Sequence, residues 1–275
     1  MTEGTLRKMR TKLINPVHYQ LPVGEVLIDL NPLLGQEISL VYSGKIFCIE
    51  CGRKTNKSFN QGYCFPCLRR LAACDTCIVR PELCHYHEGT CREPQWGEAH
   101  CMQPHVVYLA NSSGLKVGIT RKTQVPTRWI DQGAIQALPI AEVDTRLQSG
   151  LIETALKGTV NDKTNWRRML KGLQTEIDLT AEWEELRGSG NGMFTQFQSR
   201  FGLHAIRLSE HEVPTRISYP VLRYPEKIKA HNFDKERVVK GVLEGIKGQY
   251  LILDHGVLNI RKFAGYEVSF NTAKS

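Results

Sequence analysis

Apolar and polar residues alternate along the first 47 positions. The stretch "EVLIDLNPLLGQEISLVYSGKIFCI" has the two-residue period of half-buried strands and predicts a turn at Ser43-Gly44. The period returns in "HVVYLANSSGLKVGIT", which reads as strand, polar turn, strand, with Tyr108 in the first strand and Gly118 in the second. Helices are expected between this hairpin and Lys171. Residues 173 to 202 change to a helical period: Trp183 and Leu186 lie three apart, and Met193, Phe194, Phe197 and Phe201 share one face. Gly202 suits a C-terminal cap there. After Pro214, "VVKGVLEGIKGQYLILDHGVLNIRKFAGYEVSF" predicts three or four short strands broken at "EGIKG" and "DHG".

These patterns give an α+β chain in five consecutive parts. They are a β-rich segment (1–47), a Cys-rich segment (48–104), a small mixed α/β core (105–172), a helical segment (173–212) and a β-rich module (213–275). The two β-rich ends are expected to pair into one barrel-like module around the middle of the chain. No fixed-period repeat and no low-complexity tract interrupts the pattern.

Composition adds little until charge is considered. With 275 residues, 41% of them hydrophobic, the chain can bury one large core or two to three small ones. Its formal net charge of +8 favours a polyanionic partner, nucleic acid first and an anionic membrane second. A solvated basic surface is the plain alternative. No run approaches the roughly 18 apolar residues of a bilayer span. The basic start "MTEGTLRKMRTKLINP" lacks the apolar stretch of a secretory signal, so a cytoplasmic location is expected, with no membrane partner.

In a reducing compartment, paired cysteines point to metal rather than disulfide. All nine cysteines fall between Cys48 and Cys101. "CIECGRKTNKSFNQGYCFPC" sets Cys48, Cys51, Cys64 and Cys67 as two Cys-x-x-Cys pairs. Each pair fits a tight turn that aims both sulfurs at one ion, with Gly52 and Gly62 beside the turns. Four thiolates complete a tetrahedral, structural zinc site with no open position. "CDTCIVRPELCHYHEGTC" offers a second zinc site, with Cys74, Cys77, Cys84 and Cys91 as the first choice of ligands. His87 or Cys101 can displace one of the later two, and His85 and His100 are also within the segment. An iron–sulfur cluster suits the His-rich surroundings less well. Arg53, Lys54, Lys57, Arg69 and Arg70 decorate the first site, as on a nucleic-acid-binding zinc module or on any solvated face.

The hairpin is followed by "RKTQVPTRWIDQGA", then by "SGLIETALKG" and "DKTNWRRMLKG". The order of strand with Tyr, turn, strand with x-x-Gly, helical Arg and later helical Glu resembles the GIY-YIG nuclease superfamily. The match covers residues 105 to 171. With the upstream cysteines, the whole also resembles an uncharacterised bacterial domain family that joins a zinc-binding segment to such a core. The first triad would be Val106-Val107-Tyr108 and the second Lys116-Val117-Gly118. The resemblance implies a GIY-YIG-like core in which Glu153 holds Mg²⁺ or a similar divalent ion. Arg128 would then bind phosphate, and Tyr108 would orient or deprotonate water. Gly118 would let substrate backbone approach the sheet. The family commonly has a second Tyr where this chain has Lys116, which could ligate phosphate or donate to the Tyr108 oxygen. Phosphodiester hydrolysis needs these groups: a Lewis acid, a fork for the phosphate oxygens and a proton acceptor.

Arg121, Lys122, Arg167, Arg168 and Lys171 are the candidate phosphate-tracking residues around this core. Several candidates also have ordinary readings. Tyr108 can be a strand aromatic, Glu153 and Lys157 an i,i+4 helix pair, and Asn165 a helix cap. Phosphate-loop, dinucleotide and serine-hydrolase motifs are absent. The candidate functions are therefore a zinc-stabilised, Mg²⁺-dependent endonuclease acting on DNA or RNA, or a module that binds nucleic acid without cutting. A factor that docks protein through its zinc segment is a third.

Overall fold

The structure is a computed structural model and describes residues 1–158, 160, 165–210 and 212–272. The alternating N-terminal segment forms β1 (Thr2–Thr5), β2 (Arg10–Lys12), β3 (His18–Val23), β4 (Val26–Asp29) and the long β5 (Glu37–Phe47). The turn predicted at Ser43-Gly44 is instead an irregularity within β5. Tyr266 pairs with Ile46 while Val268 pairs with Tyr42, so the extra residues bulge out around Gly44, whose φ is +89°. Glycine inside a strand commonly marks a bulge rather than an end.

The Cys-rich segment has little regular structure: β6 (Lys54–Thr55), α1 (Phe65–Arg70), four 3₁₀ turns and α2 (Pro94–His100). Then follow β7 (His105–Asn111), β8 (Leu115–Arg121), α3 (Thr127–Asp131), β9 (Gln136–Val143) and α4 (Arg146–Leu156). β7 and β8 form the expected hairpin, with Tyr108 directly opposite Gly118. β9 falls where the sequence pattern predicts only helix. It lies between β10 and β7, and its Pro139 sits opposite Tyr108 where the register shifts. A proline is tolerated at such a bulge although it cannot donate to the ladder.

Next come α5 (Trp166–Leu170), α6 (Leu179–Ser189), α7 (Asn191–Phe201), β10 (Ile206–Leu208) and β11 (Thr215–Arg216). The helix expected over 173–202 is thus two helices, the first capped by the Asp178 side chain and the second ending at Gly202. The chain closes with β12 (Val238–Lys247), β13 (Tyr250–Leu253), β14 (Gly256–Asn259) and β15 (Tyr266–Thr272). β12 runs through "EGIK" and turns only at Gly248, whose φ is +62°.

The two ends of the chain share one sheet, ordered β1-β15-β5-β12-β13-β14, with β6 on β5. No closed barrel forms among the described residues. The sheet stays open, with β1 and β14 at the ends of its order, while β2, β3 and β4 make a separate small sheet. The middle sheet runs β10-β9-β7-β8, so β8 is its edge.

Alternation along β7 divides two cores. Val106, Tyr108 and Ala110 join Trp129 and Ile130 of α3 and the interior of the terminal β-module. Val107 and Leu109 face Ile152 and Leu156 of α4 and Trp183, Leu186, Phe194 and Phe197 of α6 and α7. α4 starts with a full capping box, in which the Thr145 side chain accepts from the Gln148 N–H and Gln148 returns the bond. The 3₁₀ turn Pro81–Leu83 of the Cys-rich segment packs against this helix, so closely that a Cβ on Gly150 would lie 2.5 Å from the Glu82 nitrogen. No helix among the described residues is long and apolar enough to cross a membrane.

Candidate metal centres and a cationic groove

The sulfurs of Cys48, Cys51, Cys64 and Cys67 all lie within 4.8 Å of one another. Tetrahedral zinc with bonds of about 2.3 Å separates its sulfurs by about 3.8 Å, and the Cys51 and Cys64 sulfurs are 3.7 Å apart. The backbone N–H of Cys64 donates to the Cys48 sulfur at 3.3 Å. Burial raises the Cys48 thiol, but the backbone N–H groups of Cys51, Cys64 and Glu50 outweigh it and bring it down to about 6. Gly52, at φ +71°, takes the left-handed turn after the first pair. The donor set can hold a metal such as zinc, and the local hydrogen bonds favour thiolates.

The second group is arranged differently from the first-choice assignment. Donor atoms of Asp75, Cys77 and His85 lie within 4.8 Å of one another and can also take a metal ion. Cys77, Cys84, Cys91 and Cys101 line the same small cavity as Asp75 and His85. Cys84 is lowered to about 6, first by a hydrogen bond from Cys101. Cys74 lies elsewhere: it packs on the first cluster with Leu71 and Tyr63. The 3₁₀ turn Ala72–Cys74 ends at Asp75, and the chain changes direction before Cys77. His87 meets the edge of Tyr86, and His100 stacks on Trp96 at 4.1 Å.

Along the β8 edge runs a groove of about 580 Å³, and Tyr108, Lys116, Arg128 and Glu153 all line it. Each arrives on a different element. Tyr108 is buried on β7, and its hydroxyl accepts a hydrogen bond from Gln132 Nε2 at 3.0 Å. Burial raises the phenol, against the smaller opposing pull of Arg128 and Gln132. Gly118 also lines the groove, and it makes room for the Tyr108 ring: a Cβ there would lie 2.8 Å from the Tyr108 hydroxyl. Lys116 is buried on β8, opposite Ala110. Glu153 is largely covered on α4 and meets Lys157 at 3.6 Å, so it faces the groove and forms the helix pair together.

Of the candidate phosphate-tracking residues, Arg121 lines the groove. Lys122 turns away to Glu142 at 2.7 Å. Arg167 lies over the Trp166 ring at 4.3 Å, on a helix that packs against Ile252 and Val257 of the terminal module. Arg168 and Lys171 belong to that same helix end, outside the groove lining.

Gln132, Arg146 and Arg261 also line the groove and are among the residues that escape sequence reasoning. Gln132 follows Arg128 by four residues, a usable helical signal. Arg146 opens α4 behind the Thr145–Gln148 capping box and donates to the Ile78 carbonyl at 2.6 Å. Arg261 comes from the far C-terminal module and has no local signature. Burial, then Arg146, lowers Arg121, and burial, then Arg128, lowers Arg261. Arginines that depress one another in a shared cleft gain most from a bound anion.

No curated protein and no solved structure matches the chain. A family model described as "Protein of unknown function (DUF2797)" matches residues 35–268. The chain, with its thiol clusters and cationic groove, therefore belongs to the DUF2797 family.

Proposed function

We propose that this protein binds nucleic acid in the β8 groove and hydrolyses a phosphodiester bond there, on a scaffold stabilised by structural zinc. One observation carries the reading: Tyr108, Lys116, Arg128 and Glu153, far apart in sequence, line one groove together with Arg121, Arg146 and Arg261. Five cations around one carboxylate suit a polyanion better than a metabolite of mixed charge. The order of these residues also resembles the GIY-YIG nucleases, which supports the same chemistry.

In this reading the guanidinium groups of Arg128 and Arg121 bind phosphate oxygens in fork geometry. Glu153 is the carboxylate to hold a divalent ion, which when bound supplies Lewis-acid stabilisation to the phosphate. Tyr108 remains a neutral phenol at ordinary pH because it is buried, so it orients water or phosphate by donating its proton in a hydrogen bond. Trp96, stacked on His100 at the groove wall, offers an aromatic surface to a base.

The neutral Tyr108 also favours a second reading, in which the groove holds nucleic acid without cutting, because the protonated phenol cannot itself take a proton from water. Labelled single- and double-stranded DNA and RNA, incubated with or without added Mg²⁺, separate the two. Cleavage that needs Mg²⁺ and falls at least about 100-fold in Glu153→Gln, with affinity retained, is expected. Tight binding with every substrate intact leaves the second reading, and no binding at all removes both.

A further inference from the structure

A second cleft of about 560 Å³ lies on the N-terminal side of the groove, with Arg7, Lys8 and Arg10 in its lining. Asn60, Gln61, Tyr63 and Arg261 line both clefts. The wall between them is thus shared, and the two clefts meet at the Asn60–Tyr63 turn.

That turn belongs to the first thiol cluster. Asn60 and Gln61 have φ values of +42° and +64°, and Phe59 and Tyr63 pair across the turn, just before Cys64. Gly62 packs beneath it, leaving no room for a Cβ against Ile49. The saddle between the clefts is therefore held by the metal-binding knuckle and presents two exposed amide side chains upward.

The charge continues across the saddle. Arg7 is exposed and donates to the Ile49 carbonyl at 2.8 Å, which tethers it beside the knuckle. Arg10 is exposed on β2. Lys8 is neutralised by its ion pair with Asp131, and Glu25 is the carboxylate in the lining. Arg7, Arg10 and the shared Arg261 outnumber it. A small phosphate ester would fill one cleft and leave the other cations unneutralised. A chain of regularly spaced phosphates would meet both sets.

We propose that a polynucleotide strand leaving the β8 groove crosses the Asn60–Tyr63 saddle and continues in the N-terminal cleft, with Arg261 at the junction and Arg7 and Arg10 beyond it. This rests on the reading of the β8 groove as a nucleic-acid site and extends it to an elongated substrate. The N-terminal β-module is then part of the binding surface, and affinity depends on strand length.

The test is fluorescence anisotropy with labelled single-stranded oligonucleotides of about 6 and about 20 nucleotides, without added Mg²⁺, over a range of salt. Wild type is compared with Arg7→Gln/Arg10→Gln and with Arg10→Glu, the latter keeping the Arg7 tether. Metal content and melting are checked to be those of wild type. Wild type is expected to bind the longer strand at least about tenfold more tightly than the shorter one. The double variant loses most of that advantage, and its slope of log affinity against log salt falls by about 1.5 for the long strand. Affinity for the short strand stays within about twofold, and Arg10→Glu shifts the long strand in the same direction. If wild type binds and the variants keep its length dependence, or weaken both lengths equally, the continuation is wrong and the groove reading stands. If wild type binds neither length, both fall.

Discussion

The four-thiol cluster and the cationic groove are built in opposite ways. The cluster takes every donor from residues 48 to 67, its sulfurs converge on one point with Cys48, Cys64 and Cys67 buried, and its bonds are short-range. The groove takes Tyr108 from β7, Lys116 and Arg121 from β8, Arg128 from α3, Glu153 from α4 and Arg261 from the opposite end of the chain. One is closed and the other open. The difference teaches how they depend on each other: the Cys-rich segment that holds the closed centre fixes backbone that the open one uses. The knuckle sets the Asn60–Tyr63 wall, Arg146 reaches back to the Ile78 carbonyl, and the Pro81–Leu83 turn braces α4.

Metal removal should break this comparison most sharply. A structural zinc site contributes on the order of 10 kcal/mol to the fold that binds it. Chelation, or Cys64→Ser, is expected to lower the melting temperature strongly, release zinc by elemental analysis and weaken oligonucleotide binding at least about tenfold. The groove then loses its wall although no groove residue has changed. Untreated protein without zinc or iron, or chelated protein with unchanged melting and affinity, would show that the thiols and the groove are independent.

Acid should separate the two regions by a smaller amount. His105 begins β7 fully buried, its Nδ1 within 2.6 Å of the Gln103 carbonyl, and burial lowers it from 6.5 to about 4. Arg146 and Arg121 push in the same direction. Between those values the unfolded chain binds the proton and the folded chain does not, so stability falls as pH drops from about 6.5 to about 4. Each unit is worth about 1.4 kcal/mol, or about 2 kcal/mol lost by pH 5. Acid also displaces metal from thiolates. His105→Gln should remove the histidine's share of the pH slope in denaturant unfolding and leave the metal's share. A variant with the full wild-type slope would place all of the acid sensitivity in the thiol clusters.

The same contrast explains what was legible in the sequence. Cys48, Cys51, Cys64 and Cys67 were readable because two tight turns determine where their sulfurs go. The second group was not, because Cys74 and Cys77 look like a third such pair while the chain turns between them at Asp75. Cys101, an alternative ligand in the sequence, reaches the same cavity from the end of α2. The β7–β8 hairpin was readable from its period, and β9 was missed because "AIQALPIAEV" is buried on both faces and carries a proline. Arg121 and Lys122 are adjacent and equally basic, yet β8 ends at Arg121, which lines the groove, while Lys122 opens the following 3₁₀ turn and meets Glu142. Arg261 was beyond reach, since only the sheet that joins the two ends of the chain brings it to the groove.

The smallest test concerns the brace itself. Glycine within a helix normally costs about 1 kcal/mol relative to alanine, so replacing it should stabilise where space allows. Gly188 in α6 is such a position, with nothing within 4 Å of an added Cβ. Gly150 in α4 is the opposite: its Cβ would meet the Glu82 nitrogen at 2.5 Å and the Pro81 carbonyl carbon at 2.6 Å. Both neighbours are backbone, so no rotamer change relieves the contact, and such overpacking costs roughly 1–3 kcal/mol. Gly188→Ala is therefore expected to raise the denaturant midpoint, and Gly150→Ala to lower it by the equivalent of up to about 2 kcal/mol after the helical gain. Gly150→Ala should also weaken oligonucleotide binding, because Glu153 lies one turn further along the same helix. If both substitutions stabilise, α4 moves freely against the Cys-rich segment and the closed region does not position the open one.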